Sequence, residues 1–169
     1  NTATVAKSYG ARGVEEKRRG YGAACLKGIS ELNDPNIVVF IDGDFSDYPE
    51  ELEKLVEPIE AGIADFVVGS RMVLPGSRAA LLPQARYGNQ LATFLIRLFF
   101  GHHYTDLGPF RAIRYSSLKE IGVVDTNFGW TVEMQIKAVK YGLRIMEVPV
   151  SYRERIGVSK ITGTISGTF

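Results

Sequence analysis

The chain has 169 residues, 45% of them hydrophobic, which is enough to bury a core within one domain spanning 1–169. Its 20 basic and 19 acidic residues leave a net charge of +1, which excludes a global field that would attract nucleic acid. Cys25 is the single cysteine and excludes an internal disulfide, and no run of eighteen apolar residues indicates a membrane-spanning helix.

The first part of the chain alternates between helical and extended patterns. In chain order we predict a helix at 2–10, a strand at 13–16, a helix at 20–33, a strand at 37–41, a helix at 48–62 and a strand at 65–71. The run Ile37–Ile41 is apolar at every position, which is typical of a central parallel strand covered by helices on both faces. This alternation predicts a doubly wound α/β layer. Because a helix comes first, we expect an earlier βαβ unit upstream of Asn1.

The regular alternation ends after residue 73. We predict a loop from 74 to 88, a long apolar helix at 89–101, a strand at 110–115, a helix at 130–142 and a strand at 143–153. One face of the long helix carries Leu91, Phe94, Leu95, Leu98 and Phe99. We interpret that face either as part of the core or as a dock on a membrane surface, with Arg97 reaching toward headgroups.

Two aspartates follow the apolar strand in the sequence IVVFIDGDFSDYPEEL. Asp42 and Asp44 are two residues apart, and in an extended segment such residues point in the same direction, so both carboxylates can face one point. They follow the carboxyl end of a strand, which is where α/β sheets bind ligands. Paired hard oxygen ligands suit Mg2+ or Mn2+, and such an ion can bridge a diphosphate. The alternative is a solvated loop whose acids cap the next helix, and Asp47 is predicted to be such a cap.

Five segments follow one another in the chain: DGDFSDYPEEL, VVGSRM, TDLGPFRAIR, GWTVEMQIKA and VPVSYRERIGVSK. Together they resemble the family 2 glycosyltransferases of GT-A fold, and among these the dolichol-phosphate mannose synthases and related polyprenyl-phosphate glycosyltransferases. The resemblance implies a GT-A type α/β domain with a mostly parallel sheet and a mixed half on the acceptor side. The first βαβ unit of the family would then lie before Asn1.

The resemblance also implies roles for individual residues. The catalytic candidates are Asp44, Asp106 and Glu133, and the metal candidates are Asp42 and Asp44. The candidates for binding the donor or a phosphate are Asp42, Arg71, Arg111, Arg153, Arg155 and Lys160.

Three positions depart from the family pattern. Ser46 stands where many relatives have Gln, and Gly108 and Pro109 replace the commoner Ser and Gly. Ordinary structural roles remain open for several candidates. Arg71 can be a solvated strand end, Arg111 can seal the sheet edge against a carboxylate, and Glu133 can be an exposed helical acid. The basic segment 153–160 can be a solvated loop.

The implied reaction is inverting transfer of a sugar from a UDP- or GDP-linked donor to a polyprenyl phosphate, assisted by Mg2+ or Mn2+. The implied location is cytoplasmic, at the cytoplasmic face of a membrane. Two related alternatives are a transferase acting on a polysaccharide or other glycan and a sugar nucleotidyltransferase. A third is a noncatalytic folded fragment that associates with another copy through an exposed strand edge.

Overall fold

The computed structural model describes residues 2–154. The helices are α1 (Thr2–Ser8), α2 (Tyr21–Ser30), α3 (Leu52–Glu60), α4 (Pro75–Ala80), α5 (Pro83–Phe100), α6 (Tyr115–Ile121) and α7 (Trp130–Lys140), with a 3-10 turn at Pro49–Glu51. The strands are β1 (Ile37–Phe40), β2 (Phe66–Ser70), β3 (Arg111–Arg114) and β4 (Ile145–Pro149).

The described strands form one mixed sheet in the order β1-β3-β2-β4. Strand β3 runs antiparallel to both β1 and β2, while β2 and β4 are parallel, so β3 alone is reversed among the strands described. The predicted α/β class with a mixed second half is confirmed. The described sheet contains no parallel neighbour of β1, so the central, parallel position predicted for this strand stays a prediction. Within residues 2–154, β1 pairs only with antiparallel β3 and lies at the sheet edge.

Helices cover both faces of this sheet. Phe66 and Val68 of β2 pack on one side in a cluster with Met134 of α7. Val67, between them, packs on the other side with Leu55 of α3. Successive strand residues point to opposite faces, so β2 is fully buried because it has an apolar layer on each side. Strand β1 is also covered on both faces, which confirms that part of its prediction.

Three elements differ from the predictions. No strand forms at 13–16. The loop predicted from 74 holds helix α4 and the first turns of α5, which begin at Pro75 and Pro83. Proline suits the first position of a helix, because its missing N–H is not needed there, so these prolines mark helix starts. Helix α6 was not predicted, and it ends at Gly122 with a φ of 53°.

Helix α5 has apolar residues on two sides. Ile96 is buried in the core, whereas Leu91, Phe94, Leu98 and Phe99 of the predicted apolar face are exposed, so the interpretation of that face as part of the core is wrong. The predicted apolar face is therefore at the surface. No helix among residues 2–154 is both long enough and apolar enough to cross a membrane.

Candidate active site

The loop that follows β1, residues 41–48, carries the two aspartates predicted to bind metal, and we call it the acidic loop. Asp42 and Asp44 are both half-buried. The Oδ1 atom of Asp44 accepts hydrogen bonds from the backbone N–H of Ser46 at 3.0 Å and from its hydroxyl at 2.5 Å. Phe45 adopts a φ of 69°, which lets the chain turn tightly between them. Ser46 thus fixes the orientation of the Asp44 carboxylate.

Asp47 is not the helix cap that the sequence predicted. Tyr48 precedes the 3-10 turn, which has no side-chain cap, and Asp47 is buried with neither carboxylate oxygen in a hydrogen bond of normal geometry. Burial raises the pKa of Asp47 to about 6. The charges of Asp42 and Asp44 add to this effect, and Arg71 opposes it. The acidic loop therefore carries three neighbouring carboxylates, and burial of Asp47 outweighs the attraction of Arg71 for its charge.

Tyr21, at the start of α2, lies beside Asp42. Burial raises the pKa of the Tyr21 hydroxyl well above its ordinary value, and the charge of Asp42 adds to this shift. Sequence reasoning missed Tyr21, because the stretch GYGAAC indicated only a packed helix.

Arg153 lies on the acidic loop, although more than a hundred residues separate them in sequence. Its backbone N–H donates to the carbonyl of Ser46 at 3.0 Å, and its Nε donates to the carbonyl of Phe45. The guanidinium lies 3.3 Å from the ring centroid of Phe45 and 4.2 Å from that of Tyr48. The structure thus brings a predicted phosphate-binding cation to the predicted metal ligands. Arg155 and Lys160 lie outside the described residues.

Arg71 and Asp106 form a buried ion pair beyond the end of β2. The Nε of Arg71 donates to Oδ2 of Asp106 at 2.8 Å, and one terminal nitrogen donates to Oδ1 at 2.8 Å. Asp106 is completely buried. Burial opposes the charge on Arg71, but the Asp106 carboxylate outweighs it and raises the pKa of the guanidinium. Both residues were predicted for catalysis or donor binding, and the structure shows that they bind each other.

The segment 105–108, which holds Asp106, is fixed by the polar side chains of Glu147 and Asn89, and sequence reasoning did not assign Glu147 to the site. Glu147 of β4 accepts from the backbone N–H groups of Thr105 and Asp106. Asn89 of α5 donates to the carbonyl of Thr105 and accepts from the N–H of Leu107. Burial raises the pKa of Glu147, with these hydrogen bonds opposing it. Paired contacts of this kind leave no signature in a sequence.

Arg111 is buried at the start of β3 and contacts carbonyls instead of a carboxylate. It donates to the carbonyl oxygens of Leu107, Gly108 and Thr131. Burial lowers the pKa of Arg111 to about 10, while nearby Tyr21 and Asp106 oppose that shift. The Arg111 guanidinium has no exposed surface, and its role as a phosphate ligand stays a prediction.

Glu133 lies in the first turn of α7 and holds a neighbouring loop. Its carboxylate accepts from the backbone N–H groups of Val124 and Asp125 and forms an ion pair with Lys137 at 2.8 Å. Burial acts to raise the pKa of Glu133, but the hydrogen bond from Lys137 and those from the two amides outweigh it, and the pKa is lowered. A carboxylate of lowered pKa is a weak base. The catalytic role of Glu133 stays a prediction.

Asp42 and Asp44 are the residues of the acidic loop that would hold a metal ion. Within residues 2–154, no group of three or more His, Cys, Asp or Glu side chains is arranged to hold a metal ion. Mg2+ is commonly held by one or two carboxylates together with phosphate oxygens and water. Asp42 and Asp44 fit such an arrangement, and the buried carboxylate of Asp47, whose oxygens have no hydrogen-bond partner of normal geometry, fits a cation nearby.

The fold and the acidic loop define the class of this protein, an α/β domain of GT-A type. The fold matches a crystal structure of glucosyl-3-phosphoglycerate synthase from Mycobacterium tuberculosis in complex with Mn2+, UDP-glucose and phosphoglyceric acid. The TM-score is 0.71 at 22% identity, over 94% of this chain and 57% of that one. The model of glycosyl transferase family 2 matches residues 1–122. The chain belongs to this family of glycosyltransferases.

Two relatives show how the similarity is distributed. An uncharacterised glycosyltransferase of Mycobacterium tuberculosis is 36% identical over 99% of this chain and 76% of its own length. The undecaprenyl-phosphate mannosyltransferase of Micrococcus luteus is 35% identical over 78% of this chain and 56% of its own length. The chain therefore spans about three quarters of the first relative and just over half of the second.

Proposed function

We propose that the protein transfers a hexose, with inversion, from a nucleoside diphosphate sugar to a polyprenyl phosphate at the cytoplasmic face of a membrane. One observation carries the proposal: the acidic loop after β1 carries Asp42 and Asp44, and Arg153 contacts the same loop at Phe45 and Ser46. Membership of glycosyl transferase family 2 supports sugar transfer. Similarity to the mannosyltransferase of Micrococcus luteus supports the lipid acceptor.

The chain's charged residues fit a diphosphate leaving group. Asp42 and Asp44 would hold Mg2+ or Mn2+, which when bound supplies positive charge to the diphosphate. Arg153 adds a second positive charge on the same loop, and charge-assisted hydrogen bonds to phosphate oxygens are strong. The ion pair of Arg71 with Asp106 holds the end of β2 in place. The donor nucleotide is UDP or GDP in this proposal.

The reaction needs no covalent intermediate. An oxygen of the acceptor phosphate forms a bond to C1 of the sugar, while the bond from C1 to the diphosphate oxygen breaks and its electron pair leaves with the nucleotide. A phosphate monoester has a second pKa of about 6, so the attacking oxygen is already ionised at neutral pH. Orientation and charge stabilisation then carry most of the catalysis. In this proposal Glu133 acts mainly by holding the loop at 124–125.

Nucleotide titration tests the donor half of the proposal. Calorimetry with UDP or GDP should show binding that depends on Mn2+. Asp44→Asn should abolish the Mn2+-dependent part and leave the fold intact. The matched control is Asp34→Asn, because Asp34 forms only an exposed ion pair with Lys119. Equal Mn2+-dependent binding by wild type and Asp44→Asn would refute the metal assignment.

Product partition tests the acceptor half. Radiolabelled sugar incubated with the enzyme and a polyprenyl phosphate should enter the organic phase. Label found only in a water-soluble glycan would support the polysaccharide alternative instead. The absence of any transfer, together with the absence of nucleotide binding, would support the noncatalytic alternative.

A further inference from the structure

The outward side of helix α5 is apolar and exposed. Its six large side chains have between 40% and 73% of their surface exposed, and we call them the α5 face: Tyr87, Leu91, Phe94, Leu95, Leu98 and Phe99. Tyr87, Leu91, Phe94 and Leu98 follow the spacing of one helical stripe. The opposite side of α5 buries Asn89 and Ile96. The helix therefore has one side for the core and another that packs on nothing within residues 2–154.

The stretch of chain that carries this face has charged residues of one sign only. From Phe66 to Thr105 the sequence contains no Asp or Glu, although the chain has 19 of them. The same stretch contains Arg71, Arg78, Arg86 and Arg97. Arg71 is paired with Asp106, but Arg78 and Arg97 are exposed. An apolar helix face flanked by arginines and free of acids is the composition of a helix that lies on an anionic bilayer.

A pocket lies beside the α5 face. It has a volume of about 160 Å3, and its lining residues are Gln90, Thr93, Phe94, Arg97, His103 and Tyr104. Phe94 belongs to both the pocket and the α5 face, so the two are continuous. The guanidinium of Arg97 is a strong donor to phosphate oxygens. A lipid whose tails meet the α5 face could therefore place its headgroup phosphate in this pocket.

The α5 face is also tied to the candidate active site. Asn89, on the buried side of α5, holds the segment 105–107 through hydrogen bonds of 3.0 Å to the Thr105 carbonyl and 2.8 Å from the Leu107 N–H. The same segment carries Asp106, which binds Arg71 at the end of β2. A helix lying on a membrane would thus hold the candidate site at a fixed position above the lipid surface.

We infer that the α5 face binds the surface of an anionic lipid bilayer, with Arg97 and its pocket receiving a headgroup phosphate. This inference rests on the proposed function, because a lipid acceptor requires the enzyme to meet a membrane. A second copy of the chain fits the face less well, since a two-fold pairing would bring arginines of the same sign together. Burial of the α5 face in lipid supplies the apolar contact, and the arginines supply the headgroup preference.

Vesicle sedimentation tests the inference without using activity. Phosphatidylcholine vesicles with added phosphatidylglycerol should bind the protein, and vesicles of phosphatidylcholine alone should bind it weakly. Leu91→Ser combined with Leu98→Ser should lower the binding about tenfold or more. Ile63→Ser combined with Val124→Ser is the matched control, since these exposed apolar residues lie away from α5. The control should bind as the wild type does.

Three results would overturn the inference. They are equal binding by the α5 variant and wild type, equal binding to neutral and anionic vesicles, and a wild-type dimer in sedimentation velocity that the α5 variant converts to monomers. The third would assign the face to a second copy. Failure of the proposed function is separable, because vesicle binding would persist while no sugar entered the organic phase.

Discussion

The guanidinium of Arg71 and the carboxylate of Asp106 join the end of β2 to the segment before β3 through two hydrogen bonds of 2.8 Å each. The carboxylate also accepts from the backbone N–H of Arg71 at 2.8 Å. Asp106 has no exposed surface, and the Arg71 guanidinium lies 5.0 Å from the ring centroid of Tyr152. This pair links the sheet to the edge of the candidate site. Its removal should therefore lower the free energy of unfolding.

Asp106→Ala should lower the free energy of unfolding by about 3 to 5 kcal/mol, because it leaves a buried guanidinium without its counterion. Urea denaturation followed by circular dichroism measures this loss. Lys119→Ala is the matched control, since it removes an exposed ion pair that contributes about 0 to 1 kcal/mol. Arg71→Met combined with Asp106→Leu should lose less stability than Asp106→Ala. If Asp106→Ala lowered the free energy of unfolding as little as Lys119→Ala does, the assignment of a buried ion pair would be contradicted.

The raised pKa of Asp47 predicts that the protein becomes more stable on mild acidification. The folded state binds this proton more tightly than the unfolded state, in which the aspartate has its ordinary pKa of 3.8, so stability falls as pH rises through about 6. The full penalty above that pH is about 2 to 3 kcal/mol. Asp47→Asn should therefore be the more stable protein at pH 8 and should show a flatter dependence between pH 4 and 7.

Urea denaturation at several pH values checks this prediction, with Glu50→Gln as the control carboxylate on the same turn. Glu50 is exposed, and Glu50→Gln removes a carboxylate from this turn without altering the buried one at Asp47. Glu147 also has a raised pKa, but it is present in wild type, Asp47→Asn and Glu50→Gln. Its contribution therefore cancels when their free energies of unfolding are subtracted. A wild type and an Asp47→Asn variant with parallel pH profiles would rule out the buried charge at Asp47.

The elements of the fold that could be predicted were those with a repeating apolar pattern. Phe66–Ser70 consists of five consecutive small or apolar residues. This composition predicts a strand that is buried on both faces, as the structure shows. The neighbours of a strand leave no such pattern, so β1 was placed at the centre although it lies at the edge of the described sheet. The stretch from 74 to 88 was predicted to be a loop, whereas Pro75 and Pro83 begin helices α4 and α5 there.

The candidate site was predictable where the chain itself brings residues together. Asp42 and Asp44 are neighbours in sequence, and their placement after β1 follows from the strand. Arg153 was selected for its charge, yet its contact with Phe45 depends on tertiary packing. Asp47 looked like a cap because short polar side chains before a helix usually are, and only the structure shows that it is buried.

Glu133→Gln should retain transfer activity within about tenfold of wild type, because Gln can still accept from the amides of Val124 and Asp125. A general base would contribute about a hundredfold or more. Glu133→Ala should instead lose about 1 to 2 kcal/mol of stability, since it leaves two backbone donors unpaired. Initial rates of sugar transfer and urea denaturation separate the two effects. A Glu133→Gln variant that folds normally and loses over a hundredfold in rate would restore the catalytic role.

Gly108→Ala should destabilise the protein, because there is no room for a side chain at this position. A Cβ on Gly108 would lie 2.7 Å from the carbonyl oxygen of Gly69, which is backbone and cannot rotate away. The expected loss is about 1 to 3 kcal/mol, measured by urea denaturation. Gly76→Ala is the control, since a Cβ there meets nothing within 4 Å and alanine favours a helix. The larger Ser, common in the family at position 108, should cost at least as much as Ala, and a neutral Gly108→Ser would show that this segment adopts another backbone.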